Sequence, residues 1–493
     1  MYVDEILQVA RIGKWNIATV IVLLITQVII GGTYAFYQIV FGKLNFKCTD
    51  GEGIINECYY KIPNSNSTGI CTSFSYYPGK EFSDTLRAKF NLVCEREHLA
   101  ELEVNIMFIG QLLGSVFGAI LIDYFGRKFS LVMGGLANLL CSFVYFMTPN
   151  LPLLIIGRFF ESFFNVVLCI SGFIYLSEVV PSKYAVFGSS SIEASFGIGA
   201  FLSGLISLIV KRWDMFIIFR LIMPYCILIV SFIFIDESPK WLLQKRRTDD
   251  FKKVIYKMFR INGTKMSSSI ASHLNKIDFT ENQANVNLQF WQLFQTKRTA
   301  FRMIALTICW LSAANLYYAL IFGPDLFHLN VHSYIMISGL SEVPATVVHI
   351  TSANKFGRKF THIMFSILSV VFLILGVILP HKYILTKSVI ACFNKLTATV
   401  TYLNIHIWNA ELMPTPLRAI GMGLASITGR ILAILLPQLI LNLSNVFSYF
   451  PVIFFLMLGG LATAVALFIP ETKNEIFPET IEDYENFGQR SEN

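Results

Sequence analysis

Apolar residues fall in long blocks along this chain, separated by short polar or basic stretches. Twelve blocks approach the roughly 20 mostly apolar residues that a helix needs to cross a bilayer. They centre near residues 29, 113, 139, 165, 197, 225, 312, 343, 371, 398, 431 and 459. With 54% hydrophobic and 14% charged residues, the composition excludes a water-soluble fold and predicts an all-α membrane protein with twelve transmembrane helices.

The polar punctuation repeats. Asp123-Tyr-Phe-Gly-Arg-Lys128 lies between the apolar runs Val104 to Ile122 and Phe129 to Met147, and a near copy, Asn354-Lys-Phe-Gly-Arg-Lys359, follows 231 residues later. Glu178-Val-Val-Pro181 returns after 233 residues as Glu411-Leu-Met-Pro414, and Glu237-Ser-Pro-Lys240 after 234 as Glu471-Thr-Lys473. Three motifs at nearly constant offset predict two homologous six-helix halves in parallel repeat. The domain reading is 1–235 for the first half, including a large loop at 42–103, then a connector at 236–300, a second half at 301–470 and a tail at 471–493.

Charge sets the orientation. Arg127, Lys128, Lys183, Lys355, Arg358, Lys359 and Arg418 fall on one side with the basic segment from Lys240 to Arg302, so the positive-inside rule places that side and both termini in the cytoplasm. The first block follows Asp4, Glu5, Arg11 and Lys14 and does not resemble a short secretory signal; it reads as an uncleaved first helix. The net charge of +7 is accounted for by topology and attraction to anionic membrane lipid, without a nucleic-acid partner.

The opposite side carries four of the nine cysteines, Cys48, Cys58, Cys71 and Cys94, in an oxidising setting. Two disulfides are expected, with three connectivities open. Asn66-Ser-Thr68 in the same loop is a glycosylation acceptor; Asn262-Gly-Thr264 faces the cytoplasm, and Asn442-Leu-Ser444 is left open. Asp4 to Trp15 reads as a short interfacial helix. In the connector, Phe251, Val254, Ile255, Met258 and Phe259 keep helical spacing, with Thr248 as N-cap and Gly263 as terminator, predicting a helix on the inner membrane surface.

Stripes of small residues, Gly110/Gly114/Gly118, Ser191/Ser195/Gly199/Ser203 and Gly421/Ala425/Gly429/Ala433, allow close helix approach. Plain packing is the simpler reading, and halves that rock against each other is the other.

A charge at the bilayer centre costs about 2.5 to 3.5 kcal/mol on the lenient insertion scales, so a buried ion needs a partner or a water-filled cavity. Lys395, Thr399, Tyr402 and His406 share one helical face, and Arg430, Glu193, Glu342, Glu161, Arg158 and Arg220 also fall within spans. Arg158 and Glu161, three apart, satisfy each other in the simplest reading. Glu193 is the candidate to hold a cationic group. Tyr317 and Tyr318 offer an aromatic face for a flat organic ion, with ordinary packing as the alternative. His406 and His349 read as packing histidines before proton carriers. No Gly-x-x-x-x-Gly-Lys-Ser/Thr phosphate loop, nucleophile or metal constellation occurs, so neither an enzyme nor a cofactor is expected.

These residues resemble the major facilitator superfamily, and within it the organic cation, organic anion and carnitine transporters. The loop motif at 123–128 and Pro470-Glu-Thr-Lys473 are superfamily-wide. Glu237-Ser-Pro-Lys-Trp-Leu242 and Glu411-Leu-Met-Pro-Thr-Pro-Leu-Arg418, with the cysteine loop and long connector, are more selective. Ala119, Asn354 and Asn394 depart from the family's usual glycine, aspartate and glycine.

The resemblance implies a solute carrier of the plasma membrane that moves small organic ions by alternating access, with a coupling ion or exchanged counter-substrate allowed. It implies gating roles for Asp123, Gly126, Arg127, Lys128, Glu178, Glu411 and Arg418, through ion pairs across the halves when the outward-open state closes the inner side, and a broadly shared structural or gating glutamate at Glu342. It places Arg430 at the substrate cavity, where many anion and carnitine carriers have arginine, and likens the tyrosine pair to the anion carriers. Substrate-binding residues are therefore expected among Lys395, Arg430, Tyr317, Tyr318, Tyr402 and Glu193, with an organic anion or zwitterion favoured. An organic cation or carnitine-like substrate is the alternative. A receptor or scaffold that keeps the fold without transport is the reading from another class.

Overall fold

A computed structural model describes residues 6, 13–42, 44–50, 58–61, 68–77, 82–148, 150–180, 185–264, 266, 290–322, 330–380, 382–414, 417–444, 447, 449–473, 475, 478 and 481–487. Asn66 and most of the stretch before Trp15 lie outside them, as do the side chains of Arg418 and Asn442.

Twelve long helical segments account for the twelve apolar blocks. In the first half they are α1 Lys14–Val40, α2 Glu97–Phe125, α3 Arg127–Met147, α4 Leu151–Val179, α5 Ala185–Ile209 and α6 Trp213–Phe234. In the second they are α7 Lys297–Phe322, α8 Val331–Phe356, α9 Arg358–Ile378, α10 Ile384–Leu412, α11 Arg418–Ser444 and α12 Phe450–Ala466. Eight are long and apolar enough to cross a membrane by composition alone, and α11 and α12 contain shorter apolar stretches. The other two, α8 and α10, have the length but bury polar residues such as His332, Glu342, Lys395 and Asn404.

The two halves pack alike. In the first, α1 lies on α5 and α4 on both α2 and α3; in the second, α7 lies on α11 and α10 on both α8 and α9. The halves meet along two seams, α5 with α8 and α2 with α11. The corners α2/α3 and α8/α9 turn at Gly126 (φ +103°) and Gly357 (φ +91°), a backbone region in which a side chain is strained. Asn150 caps α4 by accepting from the Leu153 N–H at 3.2 Å. Arg220, in a π-helical stretch of α6, donates to the carbonyls of Val28 (2.9 Å) and Ile29 (3.1 Å) and to the Ser203 hydroxyl. That base holds α1, α5 and α6 together, in space that only a glycine at position 32 leaves open.

The loop between α1 and α2 folds as two small hairpins. β1 Asn45–Cys48 pairs with β4 Phe74–Tyr77, and β2 Tyr59–Lys61 with β3 Thr68–Ile70, all antiparallel. Of the three connectivities, the folded loop forms Cys48–Cys71 and Cys58–Cys94. The loop docks on the helices through Asp84, which accepts from Trp213 Nε1 at 3.0 Å, and Lys89, which donates to the Thr148 carbonyl at 2.9 Å.

The connector helix Thr248–Asn262 ends at Gly263 as expected, but Arg247 occupies the N-cap position and Thr248 is the first helical residue. Its apolar face is not free for a membrane. Phe251, Val254, Ile255, Met258 and Phe259 are buried in the hydrophobic core of the first half. Asn262 accepts from the Trp15 N–H (2.9 Å) and donates to Asn16 (2.9 Å), while Lys257 pairs with Asp236 at 2.7 Å.

The Gly110/Gly114/Gly118 stripe packs α2 on α4 within one half, and Gly199 and Ser203 pack α5 on α1. The α5/α8 seam uses other glycines: a Cβ on Gly197 would stand 2.2 Å from the Glu342 Cβ, and one on Gly339 would stand 2.4 Å from the Phe201 nitrogen.

Candidate functional site

Two kinds of polar site emerge, one at the loop motifs and one in the middle of the bundle. At the motifs, Arg127 places Nη2 and Nε on the Glu178 carboxylate at 2.8 and 3.1 Å, and Nη1 lies 3.1 Å from Asp123. Glu237 accepts the backbone N–H groups of Arg127 (2.9 Å) and Lys128 (3.1 Å). Lys128 Nζ donates to the Ile235 carbonyl at 2.6 Å. Burial pushes the Glu237 carboxyl up, while N–H bonds from Ser238, Lys128 and Arg127 pull it down.

The second half repeats the arrangement part for part. Arg358 pairs with Glu411 at 2.8 Å, Glu471 accepts from the N–H groups of Arg358 (2.8 Å) and Lys359 (3.0 Å), and Lys359 donates to the Leu467 carbonyl at 2.6 Å. Asp123, Arg127, Lys128 and Glu178 gather at the first clamp and Glu411 at the second, and the described ion pairs of these residues close within each half. The pairs across the halves are expected of the outward-open form.

In the middle of the bundle, Lys395 on α10 lies 3.0 Å from Glu342 on α8 and 3.4 Å from the centroid of the Tyr317 ring on α7. Tyr317 stacks on Tyr402 at 4.5 Å with 8° between the rings, and Tyr318 meets Tyr402 edge-on at 6.3 Å. His406 continues the wall between Tyr402 (4.5 Å) and Trp310 (4.1 Å). Tyr318 also reaches across the seam to Phe108 on α2 at 5.5 Å.

Glu193 on α5 is half-buried and within Coulombic range of Glu342 and Lys395. No ion pair or hydrogen bond joins its carboxylate to another described residue. Arg430 on α11 is half-buried and donates to Ser426; it and Glu193 both lie within Coulombic range of Tyr402. The six residues expected at the substrate site thus share one region.

The charge of Lys395 is met inside the bundle. Glu342, assigned in the sequence to structure or gating, neutralises it, and the Tyr317 ring covers it. Two carboxylates, Glu342 and Glu193, lie within Coulombic range of the Lys395 ammonium. His349 is fully buried on α8, within Coulombic range of His406.

The sequence profile described as "Sugar (and other) transporter" matches residues 60–484. The chain belongs to this transporter family. Solute carrier family 22 member 2 of Rattus norvegicus is 27% identical over 398 residues, covering 81% of this chain and 71% of the rat protein. Organic cation transporter 1 of Caenorhabditis elegans is 25% identical, covering 84% and 72% respectively, and solute carrier family 22 member 3 of Mus musculus 23%, covering 89% and 81%. The organic ion carriers that the motifs resemble are thus the group that supplies the relatives.

The proton:xylose symporter XylE, solved with 6-bromo-6-deoxy-D-glucose, superposes with a TM-score of 0.63 at 14% identity, covering 95% of this chain and 98% of XylE. An inward-open XylE from E. coli gives 0.59 at 16%, covering 98% and 99%. The fold is that of the major facilitator superfamily, and the chain is a multi-pass membrane transporter.

Proposed function

We propose that this transporter carries small organic cations across the plasma membrane by alternating access, with the motif face and both termini in the cytoplasm and the disulfide loop outside. The observation that carries the reading is Glu193: a half-buried carboxylate in mid-helix, unpaired among the described residues, beside a lysine already neutralised by Glu342. An unspent acid next to stacked tyrosines is a receptor for a hydrophobic cation. The names of the relatives, organic cation transporter among them, support the same substrate class.

Alternating access is supported by where the halves touch. Ser207 on α5 bonds His332 on α8 at 2.6 Å, and Gln38 on α1 donates to the Ile321 carbonyl at the end of α7. Both contacts lie at the disulfide-loop end. At the motif end Asp123 is 65% exposed and Tyr124 70% exposed. This arrangement fits a chamber closed outward and open inward.

A zwitterion is the second reading, because among the described residues the Arg430 guanidinium bonds only Ser426 and could receive a carboxylate while Glu193 holds an ammonium. Purified protein in liposomes, offered a radiolabelled quaternary ammonium, an aromatic carboxylate and a carnitine-like betaine, tests both. Uptake of the quaternary ammonium, lost in Glu193→Gln, is the expected result. Uptake of the carboxylate alone would sink the cation reading, and uptake of the betaine alone would select the zwitterion.

A further inference from the structure

Below the Lys395–Glu342 pair, the α8/α10 interface stays polar as far as the second clamp. Both helices end there: α8 leads into Arg358, and α10 carries Glu411 in its last turn. Thr399 lies one turn nearer the clamp than Lys395, and His349 two turns nearer than Glu342. All four are buried. Among the described residues, no hydrogen bond reaches either ring nitrogen of His349, the Thr399 hydroxyl, Glu342 Oε2 or Arg358 Nε. A buried polar group left without a bond costs about 1 to 3 kcal/mol, and an enclosed row of such groups is the setting that seats water.

The fold itself does not require this row. The repeat offsets of 231 and 233 residues set Gly118, Val166 and Phe173 of the first half against His349, Thr399 and His406 of the second. There α2 and α4 close on each other through apolar atoms: Val166 is buried, and a Cβ on Gly118 would stand 2.8 Å from Val167 Cγ2. The same interface, above equivalent clamps, is apolar in one half and polar in the other.

Titratable groups surround His349 from several elements. His406 on α10 and Arg358 at the start of α9 stand within Coulombic range of it. Arg358 is matched by Glu411 at 2.8 Å, and Lys395 by Glu342 at 3.0 Å. Glu193 on α5 and Tyr317 on α7 lie within Coulombic range of Glu342. His362 on α9 is turned to the Trp408 ring at 5.6 Å, and the charged residue of α1 is Lys14 at its start.

We propose that this interface is a proton path: water seated among Arg358, His349 and Thr399 leads from the second clamp to Glu342, and the His349 imidazole relays the proton. One ring nitrogen takes a proton from water on the clamp side while the other releases its own toward Glu342. A carboxylate oxygen of Glu342 forms the new O–H bond, no other bond changes, and rotation of the ring restores the first tautomer. Once neutral, Glu342 no longer holds Lys395, so the path ties acidity at the clamp to the strut between α8 and α10.

Proton-detected solid-state NMR of the full-length protein in lipid discs, with isotope-labelled histidine, tests the relay. The His349 ring N–H, identified by its loss in His349→Met, should show an exchange cross-peak with water. Thr399→Val, which installs the side chain of the first half, should lose the cross-peak and keep the ring signal. A ring N–H without water exchange, or a cross-peak unchanged in Thr399→Val, overturns the proposal. Delivery to Glu342 is read separately. In Lys395→Met the stranded Glu342 carboxyl takes up a proton, and its infrared band should shift promptly on transfer into heavy water. Adding His349→Met should delay that shift, and an equally prompt shift in the double variant overturns the route. Elution as a single species with both native disulfides intact certifies that each variant is folded. Neither readout uses a transported solute, so failure of the cation reading leaves both tests unaffected.

Discussion

Lys395 and Glu342 face each other at 3.0 Å between α10 and α8, both almost fully buried. Neither charge is free for a solute while the pair stands, which makes an expected substrate ligand, Lys395, and an expected structural or gating residue, Glu342, one internal strut. Removing one member strands the other, whereas replacing both by apolar residues of similar size removes the problem with the pair. Glu342→Gln or Lys395→Met should therefore cost about 3 to 5 kcal/mol of stability, and the double variant Lys395→Met/Glu342→Leu much less than the sum. Thermal unfolding in detergent checks this, and simple additivity would count against the strut.

Glu193 gives the opposite pattern. Its carboxylate supports no bond to a described residue, so Glu193→Gln should leave the melting temperature nearly unchanged while weakening cation affinity at least about tenfold, the equivalent of about 1.4 kcal/mol. Binding of a fluorescent quaternary ammonium measures the affinity. A variant that melts early but binds normally would reassign Glu193 to packing.

The motif clamps differ in depth, and their variants should differ in kind. Arg127→Ala or Arg358→Ala leaves Glu178 or Glu411 without its guanidinium and should destabilise the protein by about 3 kcal/mol. Asp123, largely exposed, should cost within about 0.5 kcal/mol as Asp123→Asn. A gating role for Asp123 predicts that turnover falls more than substrate affinity. Unchanged turnover would remove it from gating.

Asp50 in the disulfide loop accepts hydrogen bonds from Ser73 and Thr72, which hold its carboxyl well below the usual carboxylate range. A depressed folded value means that the loop's gain is complete above the ordinary carboxylate pKa and is lost as pH falls through the folded one. Amide exchange at Thr72 and Ser73, compared with a neighbouring strand after correction for intrinsic rates, should accelerate selectively below about pH 4. Asp50→Asn should abolish the selective change.

Much of this architecture was legible in the chain. Twelve apolar blocks, three repeated motifs and one cysteine-rich loop each express a period or a composition, and these survive in one dimension. Pairing does not. Glu103 stands just before the apolar run that marks α2 and looks like part of its polar entry, until the fold sets Arg158 beside it. Glu342 and Lys395 are 53 residues apart on helices whose rotation no periodicity fixes. The connector helix reads as a membrane-surface helix because a sequence shows that an apolar face exists, not what covers it. The disulfide pairing needed the folded loop, and the clamps needed the knowledge that each glutamate folds back onto its own half.

That last arrangement has a consequence for how the molecule could be cut. Glu237 follows α6 and closes the first clamp, Glu471 follows α12 and closes the second, and the connector helix is fastened to the first half by Asn262. A backbone break between residues 265 and 289 severs none of these ties. Each fragment would keep these fastenings, and reunion would fall to the contacts between the halves, chiefly the α2/α11 and α5/α8 seams. Two co-synthesised pieces would then weigh directly how strongly those seams hold, a quantity that the intact polypeptide conceals.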